Sequence, residues 1–266
     1  MSAVRAVVKR LIGWSPRRIE IQDGGQSYVF VCENGLEEWR ARTLLEKEAG
    51  TVAWIKQHVK PGQVFLDVGA NIGLYTILAG KHVAPGGLVY AFEPHLGNAL
   101  RLMKNVRENG LDAQVKVLSV ALNDTTGFID FNYQAELSGS SMSQLGSLRD
   151  SEEREFDAVL REFKCAVTVD RLIADGHMRP PHHVKIDVDG NELLVLKGMS
   201  QLLRGSCRPL SVQVEINRRY KDAVLTQMRD AGYGDGIRHD TQAGLKKIAS
   251  GGDPDAIAHN LVFYAA

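Results

Sequence analysis

The chain has 266 residues, with 32 Lys+Arg against 32 Asp+Glu, a formal net charge of zero, 44% hydrophobic and 24% charged residues. These proportions describe a globular protein long enough to bury its own core. The charge balance argues against a nucleic-acid partner, because phosphate neutralisation selects a strong basic excess, and no apolar run is long enough for a transmembrane segment.

Residues 1–14 are short and amphipathic, with Arg5, Lys9 and Arg10 among Val, Leu and Ile, and read as a helix packed on the domain. They lack the apolar stretch and cleavage site of a signal peptide. Cys32, Cys165 and Cys207 are widely spaced, form no metal or redox pattern, and read as reduced thiols of a cytoplasmic protein. Residues 27–32 (SYVFVC) predict a strand, and Glu33-Asn34-Gly35 a turn. Leu45, Ala49, Val52, Ala53 and Ile55 recur at helical spacing over residues 44–59, and Pro61-Gly62 stops that helix. Residues 1–60 are therefore an N-terminal extension (helix, β segment, helix) packed on the core, and residues 61–266 are the main domain.

From residue 64 the pattern alternates. Strands are expected at 64–68, 88–92 and 115–120, with helices at 71–82 and 96–109, the second stopped by Gly110. Strand, helix, strand at this spacing indicates βαβ units and a parallel sheet. Residues 127–133 predict an extra strand or hairpin arm, 138–143 (SGSSMS) a polar loop, and the charge-dense 151–163 a solvated helix. A strand at 184–188, a helix at 191–203, a strand at 210–216 and a helix to about residue 231 resume the alternation. Residues 233–238 and 260–264 read as two β segments with no convincing crossover helix, hence an antiparallel edge hairpin. The expected fold is α/β and Rossmann-like: seven strands, mostly parallel, with helices on both faces.

The first strand of this alternation runs into Asp67-Val68-Gly69-Ala70-Asn71-Ile72-Gly73, and a helix follows at once. Gly69 permits a tight turn with close backbone approach, Gly73 close helix–strand packing, and the helix N-terminus offers free N–H groups to a ligand. A dinucleotide fingerprint needs glycine where Asn71 and Leu74 stand, and the Walker lysine is missing. Glu93, 24 residues after Gly69, ends the next strand, where a carboxylate accepts hydrogen bonds from ribose hydroxyls. Asp67 is placed near a positive amino or sulfonium group. The set favours S-adenosylmethionine. The rival readings are an NAD-dependent oxidoreductase and a non-catalytic scaffold.

These residues resemble the FkbM family of S-adenosylmethionine-dependent methyltransferases. The likeness is carried by DVGANIGLYT (67–76), AFEPHLGNALRLMKNVRENG (91–110), VALNDTTGFIDF (120–131), VTVDRLI (167–173), KIDVDGNE (185–192), VEIN (214–217) and the terminal NLVFY (260–264). It implies a class I methyltransferase fold. It places Asp67, Gly69, Asn71 and Gly73 in the methionine and turn contacts and Glu93 at the ribose, with Ala70, Thr76 and Pro94 in the same cofactor set. Ala121 and Leu122 would border the adenine, and Ser140 and Ser141 would lie close by. Asp189 departs from the family's usual glutamate and shortens that arm.

The strand at 184–188 should set Lys185, Asp187 and Asp189 on one side, at the sheet edge that lines a ligand crevice. Asp187 is the first candidate to take or orient an acceptor proton, with Lys185 and Glu215 as further catalytic candidates. Asp187, Asp189 and Glu215 are also a candidate Mg²⁺ set; Asp189 reads equally well as a helix cap. His182-His183 reads as the start of a strand, and His95 as an adenosine neighbour or a helix start. The expected activity is O-methylation of a small molecule, sugar or natural product. The partner is then a small-molecule or carbohydrate acceptor, the loops 134–163 and 237–255 shaping its site, and a homo-oligomer is compatible with the sequence.

Overall fold

The computed structural model describes residues 16–149, 154–217 and 219–266. The helix expected at 1–14 lies outside the described residues.

A hairpin opens the described chain. β1 (Arg17–Asp23) pairs antiparallel with β2 (Gln26–Cys32), from Arg17 opposite Cys32 to Asp23 opposite Gln26. β1 escapes the sequence reading because only Ile19 of its seven residues is buried. Two helices follow, α1 (Gly35–Arg42) and α2 (Ala49–His58). The expected turn at Glu33-Asn34-Gly35 starts α1: the Asn34 side-chain oxygen accepts from the Glu37 N–H at 2.9 Å, an N-cap.

The main sheet runs from edge to edge as β5 (Val115–Leu118), β4 (Leu88–Phe92), β3 (Val64–Val68), β10 (His183–Ile186), β11 (Ser211–Ile216), β13 (His259–Tyr264) and β12 (Ile237–His239). Every neighbouring pair is parallel except the two made by β13. The expected edge hairpin is thus altered. β13 does pair antiparallel with β12, but it inserts between β11 and β12, and α9 (Gln242–Ala249) lies in the connection. A second sheet, β6 (Ala121–Leu122), β9 (Leu160–Val167), β7 (Gly127–Tyr133) and β8 (Gln144–Leu145), stands beside the first.

The solvated helix expected over 151–163 is overturned in its described part. Residues 160–163 belong to β9, which pairs with all of β7. Lys164 and Ala166 are buried while Phe163 and Cys165 are exposed, a period of two that the charge density of this segment hides. The single helix expected over 191–203 is two, α6 (Glu192–Lys197) and α7 (Ser200–Arg204). They break at Gly198, where an added Cβ would meet the Asn123 carbonyl oxygen at 2.0 Å.

Core side chains alternate across the main sheet. On β3, Phe65 joins a cluster with Phe30, Trp54, Ile77 and Leu102, under α2, α3 (Leu74–Val83) and α4 (Leu96–Glu108). Its neighbour Leu66 joins Ile186, Leu196, Val214 and Met228 on the opposite face, under α6, α7 and α8 (Lys221–Asp230). Both faces are covered, so the central strands read as continuous apolar runs. The extension is part of this packing: Val29 and Val31 donate their N–H groups to Asn109 and Asn105 of the α4 region at 3.0 and 2.9 Å.

Candidate functional site

The parallel strands end at one edge of the main sheet, and a cleft opens there between the tips of β3, β4, β10 and β11. The turn after β3 is set by three left-handed residues, Gly69 (φ 80°), Asn71 (φ 50°) and Gly73 (φ 95°). They delay α3 to Leu74, three residues later than the sequence pattern suggests. Glycine is required at 69 for a second reason: a Cβ there would sit 1.8 Å from the Asp187 carbonyl oxygen. The N–H groups of Gly69 and Ala70 both reach the Phe92 carbonyl at 3.0 Å. The Asn71 N–H reaches Glu93 Oε2 at 2.7 Å. The turn's own donors therefore tie β3 to β4 and are not free for a ligand.

Glu93 is 5% exposed and also accepts from the His95 N–H at 2.9 Å. Burial pushes its carboxyl up to about 7, against the lowering effect of those two N–H groups. The Asn98 side chain reaches the same carboxylate, and of about four acceptor positions on such a group at least one is left. Phe92, Ala121, Leu122 and Phe131 give the adjoining wall an apolar lining. His95 caps α4 through Nδ1, which accepts from the Asn98 N–H at 3.3 Å, while Nε2 lies 2.9 Å from the Ala135 carbonyl. Burial lowers its pKa, which keeps the ring neutral.

The polar loop roofs this cleft and is stapled from three sides. Asn71 and Asn98 both donate to the Ser140 carbonyl, at 2.9 and 3.0 Å. Arg40 Nε donates to the Gly139 carbonyl at 2.6 Å. Ser138 donates its hydroxyl to the buried Glu37, which also takes Arg101 Nε at 3.0 Å.

The other end of the cleft is acidic. β10 stops at Ile186, and Asp187 follows with its carboxylate 3.0 Å from Lys185 Nζ. Burial alone would raise Asp187, but Lys185 and then Lys47 bring it below the usual carboxylate range. Asp189 does not continue the strand alternation: its φ is 56°, and its carboxylate accepts the Met142 N–H at 2.8 Å. Burial and then Asp187 raise its pKa. Glu215, at the tip of β11, is raised well above the usual carboxylate range, by burial and then by Asp187 and Glu192.

Of the residues singled out from the sequence, Gly69, Asn71, Glu93 and Pro94 line the cleft at one end, with Ala121, Leu122 and Ser141 beside them. Asp187, Asp189 and Glu215 line the other end. Ala70, Gly73 and Thr76 belong to the turn and helix behind the wall. Asp67 is also behind it, 1% exposed, accepting the Thr76 hydroxyl at 2.6 Å and facing Lys185 at 3.8 Å. Lys185, the second catalytic candidate, lies behind the wall as well. It is 1% exposed; burial alone would lower an ammonium pKa, but Asp187 and Asp67 raise it above the usual lysine range, which favours the charged form. The Mg²⁺ reading of Asp187, Asp189 and Glu215 finds no support: among the described residues no group of three His, Cys, Asp or Glu is arranged to take a metal ion. Asp187 turns to Lys185 and Asp189 to a backbone N–H. His182 and His183 start β10 as expected. His182 Nδ1 accepts the Val64 N–H, and His183 is buried between Ser211 and Gln63.

Three contributors escape a reading of sequence. Arg40 and Lys47 line the cleft from the extension, where no local motif marks them. Glu192, in the first turn of α6, accepts the Val188 and Gly190 N–H groups at 3.2 and 3.0 Å and holds the loop after β10 in shape. Its place three residues after Asp189 was the available signal. Among the described residues no helix is long and apolar enough to cross a membrane.

The family model described as the methyltransferase FkbM domain matches residues 67–234. The hexuronic acid methyltransferase AglP of Haloferax volcanii is 28% identical over 190 residues, covering 71% of each chain. The AMB antimetabolite synthetase AmbE of Pseudomonas aeruginosa is 28% identical over 212 residues, 68% of this chain and 10% of its own length. Among solved structures, a methyltransferase FkbM from Methylobacillus flagellatus KT superposes with a TM-score of 0.51 at 16% identity, over 87% of this chain and 55% of that one. That likeness establishes the Rossmann-like methyltransferase fold. The family match spans well over half of the chain and contains the glycine turn, Glu93, Asp187 and Glu215, and the chain is therefore a member of the FkbM methyltransferase family.

Proposed function

We propose that this methyltransferase moves a methyl group from S-adenosylmethionine to a hydroxyl oxygen of a carbohydrate acceptor of the hexuronic acid class. The observation that carries the reading is one cleft with Glu93 at one end and Asp187 at the other. The donor chemistry fits the cofactor. The apolar wall of Phe92, Ala121 and Leu122 suits adenine, Glu93 keeps acceptor capacity for the ribose, and the acidic end suits a sulfonium. The carbohydrate class follows the relative whose name specifies a hexuronic acid.

When bound, the cofactor supplies an electrophilic methyl carbon. Asp187, held ionised by Lys185, would accept a hydrogen bond from the acceptor hydroxyl and orient its oxygen toward that carbon. As the oxygen–carbon bond forms, the hydroxyl proton passes to Asp187. The proton then leaves Asp187 for solvent, to which that side chain is partly exposed. Lys185 positions Asp187 and does not itself take a proton.

We place the start of the methyltransferase domain at residue 61, since Pro61-Gly62 separates α2 from β3. The free thiols Cys32, Cys165 and Cys207 suit a reducing compartment, and we assign the protein to the cytoplasm.

Calorimetric titration with S-adenosylmethionine tests the cofactor. A folded sample that takes up no heat ends the reading. Incubation of the enzyme and cofactor with glucuronides, followed by NMR of the product, tests the acceptor atom. A methyl group on nitrogen or carbon would overturn O-methylation.

A further inference from the structure

The lining of the cleft is strongly acidic, with Glu93, Asp187, Asp189 and Glu215. An anionic acceptor meets repulsion from Asp187, the one of the last three whose pKa is lowered. Among the described lining residues, Arg40 of α1 and Lys47 of the turn after it are the standing positive charges, since His95 is held neutral. Both come from the extension, and both stand at the Asp187 end: their fields lower the carboxyl pKa of Asp187 and Asp189, whereas Glu93 feels neither as a principal influence.

Neither cation is needed to neutralise Asp187, because Lys185 already sits 3.0 Å from it. Lys47 is anchored, with Nζ 2.9 Å from Glu48, whose other oxygen takes Thr51 and Asn260. Arg40 differs. Its Nε is fixed on a neutral carbonyl, Gly139, and it makes no ion pair among the described residues. A guanidinium held at Nε presents its two terminal nitrogens in the geometry that receives a carboxylate on two parallel N–H bonds.

We propose that Arg40, with Lys47 beside it, is the docking site for the acceptor's carboxylate. The inference rests on the acceptor class given above and assigns it residues. A sugar acid bound there is held by its carboxylate on the extension while a ring hydroxyl faces Asp187. The extension, outside the matched family segment, then sets acceptor choice while the strand tips perform the transfer.

The test uses the full chain preloaded with S-adenosylhomocysteine, titrated calorimetrically with glucuronate and with the neutral glucuronamide at low salt. Glucuronate is expected to bind about tenfold tighter than the amide, the range of a charge-assisted hydrogen bond. Arg40→Gln keeps a donor for the Gly139 carbonyl but loses the charge, and should bring the acid down to the amide's affinity. Arg40→Lys should retain part of the preference, and Lys47→Met should remove part of it without touching the Gly139 tether. S-adenosylhomocysteine affinity should stay within about twofold in all three. If Arg40→Gln and Lys47→Met leave the preference for the acid intact, the assignment fails. It fails too if they weaken S-adenosylhomocysteine, which would give the cations to the cofactor's own carboxylate. If S-adenosylhomocysteine does not bind the unaltered chain, the methyltransfer reading falls instead, and the same titrations on the free protein still decide the role of Arg40. Retained binding of glucuronate without its methylation removes only the reaction proposed above.

Discussion

Lys185 and Asp187 lie two residues apart at the end of one strand, with Nζ and Oδ2 separated by 3.0 Å. The lysine is buried and the aspartate reaches the cleft, so the ammonium acts from behind the wall on a carboxylate that faces the acceptor. The same ammonium faces Asp67 at 3.8 Å and lies 5.1 Å from the centre of the Tyr75 ring. One buried cation thus links β3 and α3 to the tip of β10.

Lys185→Met should separate positioning from catalysis. Asp187 now ionises below the usual carboxylate range, so the acid limb of kcat against pH should lie low. Without the ammonium that limb moves to higher pH, and kcat at neutral pH falls about a hundredfold. The uncompensated Asp67 also costs about 3 kcal/mol of stability. A pH–rate profile and a urea melt measure both effects, and an acid limb that stays in place would refute the positioning role.

Cofactor affinity should depend on pH through Glu93. Its carboxyl is pushed up to about 7, and ribose hydroxyls donate to the ionised form. Binding then weakens as pH falls through 7, by about tenfold between pH 8 and pH 6, and releases a proton at the lower value. In Glu93→Gln the dependence should vanish and affinity should be low throughout. The sign for stability is opposite. A raised carboxyl pKa means that the ligand-free fold holds more protons than the unfolded chain between about pH 4.5 and 7, so this residue's contribution to stability declines as pH rises through that window.

Gly69→Ala combines a backbone penalty at φ 80° with a Cβ placed 1.8 Å from the Asp187 carbonyl. About 3 kcal/mol of stability should be lost. The loop after β10 has to shift, so activity should fall further than melting temperature suggests. Calorimetric melting beside single-turnover rates would show it, and normal turnover in the variant would mean that the close approach is dispensable.

Arg101→Met should loosen the extension. Arg101 is 3% exposed, pairs with the fully buried Glu37 at 3.0 Å, and joins α4 to α1. Removing one partner of such a pair costs about 3 kcal/mol. Hydrogen exchange in residues 33–47 should quicken, and any effect on acceptor binding should exceed that on the cofactor. Unchanged exchange there would show that the hairpin alone anchors the segment.

The nucleotide-binding half was legible in the sequence because its signals are local. A buried strand, a turn that needs glycine at 69 and an acid closing the next strand all fall within 30 residues, and neighbouring positions dictate each of them. β9 was hidden because its charged side chains, Glu162 and Lys164, neutralise each other at the edge of a small sheet. Local composition there resembles a solvated helix, and only pairing with β7 decides between them.

Residue types and strand ends were therefore determined by the sequence alone: acids at 93, 187 and 215, and glycines where the chain must bend. Which of those acids is charged was decided by the tertiary structure, since ionisation depends on burial and on partners far along the chain. Lys185 is raised because two carboxylates surround it, Glu93 is raised because it is buried, and the charge of Arg40 acts on Asp187 from 147 residues away along the chain. Charge acts through space, and no pattern along the sequence records that distance.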